Sequence, residues 1–426
     1  MGLFEIRSQS HFRPMPTFRS VLFWLHLTAG VVAGAIVLIM SVTGVVLTYE
    51  KQMLEWADRR AWSVPPPSGT AALSPETLLA RVRDARPEAA PATLTLRADP
   101  AAPATVAFEG AGAVLVNPYT GDIIGPQPSG LRGFFRTVTN WHRYLAMEGP
   151  GRTTGKAITG AANLAFLFIV LSGMYLWLPR IWSRLQVRNV LWFRRGLQGK
   201  ARDFNWHNVI GIWSAVPLAI VVAGAVPISY PWASNLVYRL VGEEPPRPPQ
   251  AGPGGAQRGA SAPRGGGGGG EGRGGAPDEK ETPEAIHLEG IDAGYAEAVR
   301  RVPEWRALSI RIPHGAQPNI TYTVDEGYGG QPHMRGTLTV ARSGGAVERW
   351  ESFADQTRGR RLRSWLRFAH TGEYYGLTGQ TIAGVVSAGA VVLAWTGIAL
   401  ACRRFIAWIG RRRRATTDSQ SARQAA

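Results

Sequence analysis

Apolar residues collect in four long runs that carry almost no charge. They span residues 20–47, 157–178, 206–230 and 379–401, so each is 22 to 28 residues long. A bilayer core about 30 Å thick needs roughly 20 helical residues, and each run is long enough to cross it. Four such runs are too many for the buried helices of a soluble protein. The pattern predicts an α-helical integral membrane protein with four transmembrane helices.

Short basic segments indicate the topology. Residues 1–20 carry a net charge of +2, residues 179–203 carry +6 and residues 401–426 carry +6, which is +14 of the total +17. Basic short loops are typical of the cytoplasmic side, and four spans put these three segments on one side. The charge is therefore a topology signal and not a nucleic-acid patch. It predicts cytoplasmic termini and two long outer segments, residues 49–156 and 231–378.

Both outer segments repeat one order of elements, a helix followed by strands. In the first, residues 74–84 have Ser74 as a predicted N-cap, and strand-like runs follow at 92–97, 104–109 and 114–125. In the second, a predicted helix at 293–301 precedes strand-like runs. These later runs lie at 308–312, 320–324, 336–341 and 347–352. We expect a small antiparallel α+β domain in each segment.

A glycine- and proline-rich stretch, residues 244–277, lies between the two patterns of the second segment. Its composition cannot bury a core, so we expect a disordered insertion within residues 232–282.

The whole chain also looks duplicated. His26 and His207 are each followed by glycine after four residues and by tyrosine after 23. Gly155 and Gly379 each precede another glycine by 18 residues, inside a Ser-Gly or Thr-Gly pair. The repeat unit is helix, outer domain, helix. Because both copies begin inside, we expect parallel repeats related by a pseudo-two-fold axis along the membrane normal.

Four histidines occupy equivalent repeat positions beside the membrane helices: His26, His142, His207 and His370. Neutral imidazole is a common ligand of haem iron, and a six-coordinate centre needs two facing rings. His26 and His207 lie near the inner face, whereas His142 and His370 precede helices that enter from outside. We therefore expect His26 to pair with His207 and His142 with His370, giving one haem near each face. The alternative is that these are interfacial histidines without a ligand.

The remaining histidines lack ligand spacing and are interpreted as surface residues: His11, His287, His314 and His333. Arginines crowd the two outer histidines: Arg132, Arg136, Arg143, Arg361, Arg363 and Arg367. Guanidinium groups pair with carboxylates, so haem propionates or an anionic substrate would account for them, as would lipid phosphates. Several glycines in the spans suit either a flat macrocycle or close helix packing. They are Gly30, Gly34, Gly44, Gly173, Gly211, Gly224, Gly384 and Gly397.

Some chemistries are excluded by the sequence. The single cysteine, Cys402, excludes disulfides within the chain and cysteine-ligated iron–sulfur clusters. No dinucleotide-binding or Walker motif is present, and the cytoplasmic segments are too short for a flavin or nicotinamide domain. Electrons from inside would need a separate donor.

These residues resemble the PepSY-associated transmembrane family, which includes inner-membrane ferric-siderophore reductases of Gram-negative bacteria. The resemblance is carried by the His-bearing first helix, VLVNPYTGDIIG (residues 114–125), the NWHRYL and RFAHTGEYYG segments, and the duplicated four-span layout. It implies two periplasmic α+β PepSY-like domains and two b-type haems held by His26, His142, His207 and His370. Some relatives carry a fused flavoprotein domain, which this chain lacks.

The expected segments follow from this layout. They are a cytoplasmic N-terminus at 1–19, spans at 20–48 and 204–231, PepSY-like domains at 49–130 and 283–357, His-bearing segments with their spans at 131–178 and 358–402, a basic loop at 179–203, the insertion, and a basic tail at 403–426.

The sequence thus predicts a di-haem b oxidoreductase of the bacterial inner membrane. A quinol or a separate cytosolic reductase would be its donor, and a ferric siderophore or another periplasmic molecule its acceptor. From His26 to Tyr49 the first helix is roughly 35 Å long at 1.5 Å per residue, so a single inner haem would leave electrons far from the periplasm. The alternative is a haem-free membrane scaffold or permease component whose PepSY-like domains bind peptides, peptidases or siderophores.

Overall fold

Four long apolar helices carry the hydrophobic runs. The computed structural model describes residues 17–110, 112–178, 183–246, 287–315, 317–343 and 345–424. Its helices are, in chain order, α1 (Phe18–Leu47), α2 (Glu50–Ala61), α3 (Pro75–Ala85), α4 (Ser129–Tyr144), α5 (Gly151–Trp177), α6 (Arg184–Leu191), α7 (Gly199–Ser229), α8 (Pro231–Leu240), α9 (Ile291–Arg301), α10 (Arg358–His370) and α11 (Gly376–Gln424). Of these, α1, α5, α7 and α11 are long and apolar enough to cross a membrane.

The surfaces of these four helices are apolar, as a lipid environment requires. Val32 is 76% exposed, and Trp213 and Val385 are each 65% exposed. Exposed apolar area on this scale would be unfavourable in water but not against lipid tails.

Short helices that sequence patterning did not predict flank the spans. α4 ends within the NWHRYL segment and α10 ends within the RFAHTGEYYG segment, and each carries an outer histidine in its last turn. α8 follows α7 directly, with Pro231 at its first turn, so the insertion begins later than residue 232. Residues 247–286, which include most of the glycine-rich stretch, lie outside the described part of the chain.

The described strands form one antiparallel sheet of eight strands in the order β4-β3-β2-β1-β5-β6-β7-β8. They are β1 (Pro91–Arg97), β2 (Ala104–Phe108), β3 (Gly112–Val116), β4 (Ile123–Pro126), β5 (Ala307–Arg311), β6 (Asn319–Asp325), β7 (Arg335–Ala341) and β8 (Val347–Glu351). Alternate residues of β2, β6 and β7 are buried. The buried strand residues share one hydrophobic cluster with Leu78 and Leu79 of α3 and Ile291 of α9.

The expectation of two separate outer domains is therefore corrected. β1 of the first segment pairs antiparallel with β5 of the second, which joins both halves into one sheet over one core. In this pairing Leu94 lies opposite Ile310, and Leu96 lies opposite Leu308. Leu94 and Leu308 are equivalent in the two copies of the repeat, as are Leu96 and Ile310, so each residue pairs with the counterpart of the other. The exchange is centred on Thr95 and Ser309, whose hydroxyl oxygens are 3.0 Å apart.

Helices α3 and α9, which pack against the sheet, interact through their N-termini. The backbone N–H of Glu76 donates to Asp292 Oδ1 at 2.9 Å, and the N–H of Asp292 donates to Glu76 Oε1 at 3.0 Å. Each carboxylate thus satisfies a free N–H in the first turn of the other helix, where negative charge is favourable. The duplication is visible here as a reciprocal pair of hydrogen bonds.

The chain divides into two compact units. Unit 1 contains residues 1–38, 162–219 and 389–426, which include the basic segments. Unit 2 contains residues 39–161 and 220–388, which include the sheet, α4 and α10.

Candidate functional site

Each unit contains two of the four candidate histidines. His26 of α1 and His207 of α7 both lie in unit 1. His142 of α4 and His370 of α10 lie in unit 2 with their ring centres 6.2 Å apart and their planes at 42°. Each unit thus contains the two histidines that the repeat predicts to pair, and in unit 2 the two rings lie next to each other.

Glycines position the helix ends that carry the outer histidines. A Cβ on Gly155, in the first turns of α5, would collide with the carbonyl oxygen of Tyr144 at the end of α4. A Cβ on Gly379, in the first turn of α11, would collide with the carbonyl oxygen of Gly372 just after α10. Gly372 also has a φ of +74°, which a side chain rarely adopts. Backbone packs against backbone at both junctions. The two glycines that mark the repeat, Gly155 and Gly379, are therefore required because any side chain there would collide with the neighbouring backbone.

Every candidate histidine makes a hydrogen-bonding contact through Nδ1. Nδ1 of His26 lies 2.8 Å from Ser172 Oγ, and Nδ1 of His207 lies 3.0 Å from Thr396 Oγ1. In unit 2, Nδ1 of His142 lies 2.9 Å from Thr43 Oγ1.

The fourth histidine uses the main chain instead. Nδ1 of His370 lies 2.8 Å from the carbonyl oxygen of Val221. None of the four Nε2 atoms has a hydrogen-bond partner among the described residues.

Three of the span glycines face the candidate rings. A Cβ on Gly173 would lie 3.3 Å from His26 Cε1, one on Gly397 would lie 3.5 Å from His207 Cε1, and one on Gly44 would lie 3.6 Å from His142 Cε1. Other span glycines permit helix packing, since a Cβ on Gly34, Gly211 or Gly384 would meet Ile398, Leu393 or Thr48 respectively. Gly30 has nothing within 4 Å of such a Cβ.

The outer pair is held in its neutral form. Desolvation and, to a smaller extent, the like charge of a protonated His370 lower the pKa of His142 to about 4. Desolvation also lowers the pKa of His370, against the opposing effect of its bond to the Val221 carbonyl. Both imidazoles are therefore neutral at physiological pH, which is the form that binds a metal.

The predicted arginines differ in what they contact. Arg132 binds Asp58 bidentately through Nη1 at 2.8 Å and Nη2 at 2.7 Å, so its guanidinium is already paired with a carboxylate. Arg363 Nε donates to Ser234 Oγ at 2.8 Å. Arg361 is half-buried.

The other three arginines are exposed. Arg143 lies over the ring of Tyr144 and Arg367 over the ring of Phe368. Arg136 makes no ion pair with any described residue. Arg136 and Arg361 are therefore better placed than Arg132 to bind a ligand carboxylate.

The other histidines remain apart from these pairs. The ring of His333 packs on Tyr374 with centres 4.6 Å apart, and Nε2 of His314 is buried without a partner among the described residues. His287 is half-buried, and His11 lies outside the described residues. No three His, Cys, Asp or Glu side chains come together in the described part of the chain.

A pair of imidazoles has the donor set that fits haem rather than a bare metal ion. A structural metal ion takes four protein ligands, whereas haem iron needs only axial ligands because the macrocycle supplies the others. A metal–imidazole bond is about 2 Å long, which puts two ligand nitrogens on opposite sides of one metal about 4 Å apart. Ring centres 6.2 Å apart are compatible with that spacing.

Sequence reasoning missed the partners of the Nδ1 atoms. It noted the Ser-Gly and Thr-Gly pairs at Gly173 and Gly397, but only as marks of the repeat. Thr43 precedes Gly44 in the same way and lies 17 residues after His26. A search for hydroxyl residues directly before the glycines of the spans would have found all three.

Comparison with known families decides the membership of the chain. The profile of the PepSY-associated TM region family matches residues 23–404, nearly the whole chain. The chain belongs to the PepSY-associated TM region family. No curated protein is similar enough in sequence to count as a relative.

Membership in the PepSY-associated TM region family confirms the resemblance drawn from the residues. Together with the four apolar helices, it identifies a membrane protein. The matched range includes all four candidate histidines and excludes His11.

Proposed function

We propose that this membrane protein is a di-haem b oxidoreductase that passes electrons across the bacterial inner membrane to a periplasmic acceptor. The observation that carries the proposal is the placement of two of the four histidines in each compact unit, side by side in unit 2, with none of the four Nε2 atoms hydrogen-bonded to a described residue. Two pairs of single donors would suit two haems, each held by one pair. When bound, such haems supply reversible one-electron chemistry.

The roles of the chain's own residues follow from their contacts. His26 and His207 would hold the haem of unit 1, and His142 and His370 the haem of unit 2. Because Gly173, Gly397 and Gly44 have no Cβ, they leave room beside Cε1 of three of the candidate ligand rings. Arg136 and Arg361 would bind propionates of the haem in unit 2, since their guanidinium groups can pair with carboxylates.

The charge distribution supports transfer from the cytoplasmic side to the periplasm. The basic segments all belong to unit 1, and their charge predicts that they face the cytoplasm. The same topology predicts that the sheet lies in the periplasm. A quinol or a cytosolic reductase would then donate electrons. A ferric siderophore is the acceptor we favour, because family relatives with this layout include ferric-siderophore reductases. The one-electron chemistry that bound haem would supply is the kind that reduces a ferric ion to a ferrous ion.

Haem content of the purified protein tests the proposal. The protein should be red, show a reduced b-type spectrum and contain about two haems per chain. His142→Ala should lower that content, whereas His287→Ala, outside both pairs, should not. A folded protein without haem would refute the proposal and favour a scaffold whose sheet binds peptides or siderophores.

The acceptor is tested separately. Protein reduced with dithionite and freed of excess reductant should be reoxidised by a ferric hydroxamate or catecholate chelate. Ferrous iron should then appear in a ferrous-specific chelator in proportion to the haem oxidised. Haem that stays reduced in the presence of every ferric chelate would show that the acceptor is of another class.

A further inference from the structure

The hydroxyl groups beside the candidate ligands have their own protons committed elsewhere. Thr43 Oγ1 lies 2.7 Å from the carbonyl oxygen of Ile39, and Thr396 Oγ1 lies 2.7 Å from that of Val392. Ser172 Oγ lies 3.2 Å from the carbonyl oxygen of Ile169. These are the back-bonds that Ser and Thr make inside helices.

This arrangement determines which ring nitrogen carries the proton. A hydroxyl has one proton to donate, and a carbonyl oxygen only accepts it. Each hydroxyl must therefore accept a hydrogen bond from the histidine, whose Nδ1 must carry the proton. The carbonyl of Val221 requires the same of His370, because it can only accept. In a neutral ring, Nε2 is then left with a free lone pair.

The residue after each hydroxyl leaves room for the ring. Gly173 follows Ser172, Gly397 follows Thr396 and Gly44 follows Thr43. A hydroxyl thus anchors one side of the ring, while the adjacent glycine permits helix contact at Cε1, 3.3 to 3.6 Å from a hypothetical Cβ.

The two outer histidines differ in one respect. Gly224 lies 17 residues after His207, where the first copy has Thr43 17 residues after His26. With no hydroxyl there, His370 bonds directly to the carbonyl of Val221. The first copy thus uses a hydroxyl between ring and backbone, and the second copy uses the backbone itself.

From these contacts we infer that Ser172, Thr43, Thr396 and the Val221 carbonyl are positioning groups that fix the Nδ1-protonated tautomer of the four histidines and present Nε2 to haem iron. The inference rests on the proposed function for its ligand, but not for the tautomer. Partners of this kind orient a metal-binding histidine and make it a stronger ligand. Thr43 would act on the haem of unit 2 alone, and Ser172 and Thr396 on that of unit 1 alone.

The tautomer is measured first, on the full-length protein with ¹⁵N-labelled histidine. The side-chain ¹⁵N signals of the four histidines should have Nδ1 protonated in the ferrous, diamagnetic state. A preparation that contains no haem should give the same tautomer, so the measurement remains valid even if the proposed function fails. Nε2-protonated rings at these positions would overturn the inference.

The positioning role is measured on the haems. In Thr43→Val, loss of the hydrogen bond weakens electron donation by His142, which should raise the midpoint potential of one haem and leave the other unchanged. Haem transfer from the variant to apomyoglobin should be about 10- to 100-fold faster for that one haem. Thr43→Ser should restore both the midpoint potential and the rate of haem transfer. Ser172→Ala should instead shift the midpoint potential of the other haem.

A matched control separates positioning from packing. Thr48 directly follows the last residue of the same helix, α1, and its hydroxyl donates to the carbonyl of Gly44 rather than to a histidine. Thr48→Val should leave both potentials unchanged. Equal potentials in Thr43→Val and the wild type, with two haems in each, would overturn the role of Thr43. A shift of the midpoint potential in Thr48→Val equal to that in Thr43→Val would also overturn the role of Thr43.

Discussion

A single added methyl group at Gly224 should disrupt the packing that carries His370. A Cβ at this position of α7 would lie 2.5 Å from the carbonyl oxygen of Leu366 in α10 and 3.2 Å from Cβ of His370. Ordinary contact begins at 3.4 Å, so the two helices must separate by about 0.9 Å, the difference between 3.4 and 2.5 Å. A separation of that size lengthens the 2.8 Å hydrogen bond between His370 Nδ1 and the Val221 carbonyl oxygen beyond hydrogen-bonding distance.

The expected cost of Gly224→Ala follows from these contacts. Overpacking costs about 1–3 kcal/mol, and the lost hydrogen bond about 0.5–1.5 kcal/mol. Alanine regains about 1 kcal/mol of helix propensity. The net loss in the free energy of unfolding should be about 2 kcal/mol, and the b-type spectrum of one haem should change because its axial ligand is displaced.

The assay is equilibrium unfolding in mixed micelles, followed by circular dichroism, with the haem spectrum recorded on the same samples. Gly30→Ala is the matched control, because nothing lies within 4 Å of a Cβ at that position of α1. Gly30→Ala should leave the free energy of unfolding unchanged or raise it by up to about 1 kcal/mol. If Gly224→Ala unfolds at the same denaturant concentration as Gly30→Ala, the close approach of α7 and α10 is refuted.

Three further changes test other parts of the structure. Removing the carboxylate of Glu76 or Asp292 by alanine should cost about 1 kcal/mol in each case, because each is an acceptor at the start of the other helix; hydrogen exchange of α3 and α9 measures it. Asp325→Ala leaves Arg335 without the partner that it binds at 2.7 Å, and should cost about 3–5 kcal/mol, whereas Asp84→Ala at an exposed pair should stay within about 0.5 kcal/mol. Deletion of residues 252–275, outside the described part of the chain, should leave unfolding and haem content unchanged, because this composition buries little apolar area.

Local patterns predicted the elements well because their causes are local. The four spans follow from length and hydropathy, and the observed helices begin within about seven residues of the predicted runs. The strand β2 was predicted at 104–109 and lies at Ala104–Phe108, where apolar and polar residues alternate. Ser74 accepts a hydrogen bond from the N–H of Thr77, as its predicted role as N-cap of α3 requires.

Long-range pairing was beyond the reach of these patterns. β1 and β5 are joined across more than 200 residues, and no local signal distinguishes a shared sheet from two separate ones. The contacts of Thr43 and Val221 also depend on how α1 and α7 are rotated about their axes, which hydropathy does not specify where all faces are apolar. The repeat itself was the strongest guide, because it predicted that His142 lies beside His370 without any knowledge of helix rotation.

Haem content of paired double variants tests the central claim most directly. The wild type should contain about two haems per chain. His26→Ala combined with His207→Ala should leave one, as should His142→Ala combined with His370→Ala, because each combination removes both ligands of a single iron. A mixed double such as His26→Ala with His142→Ala should approach zero, since each haem then loses one axial ligand and is held less tightly. Spin state recorded beside content identifies any five-coordinate haem that remains bound. If the mixed double keeps one low-spin haem while a same-pair double keeps none, the pairing of one haem with each unit is contradicted.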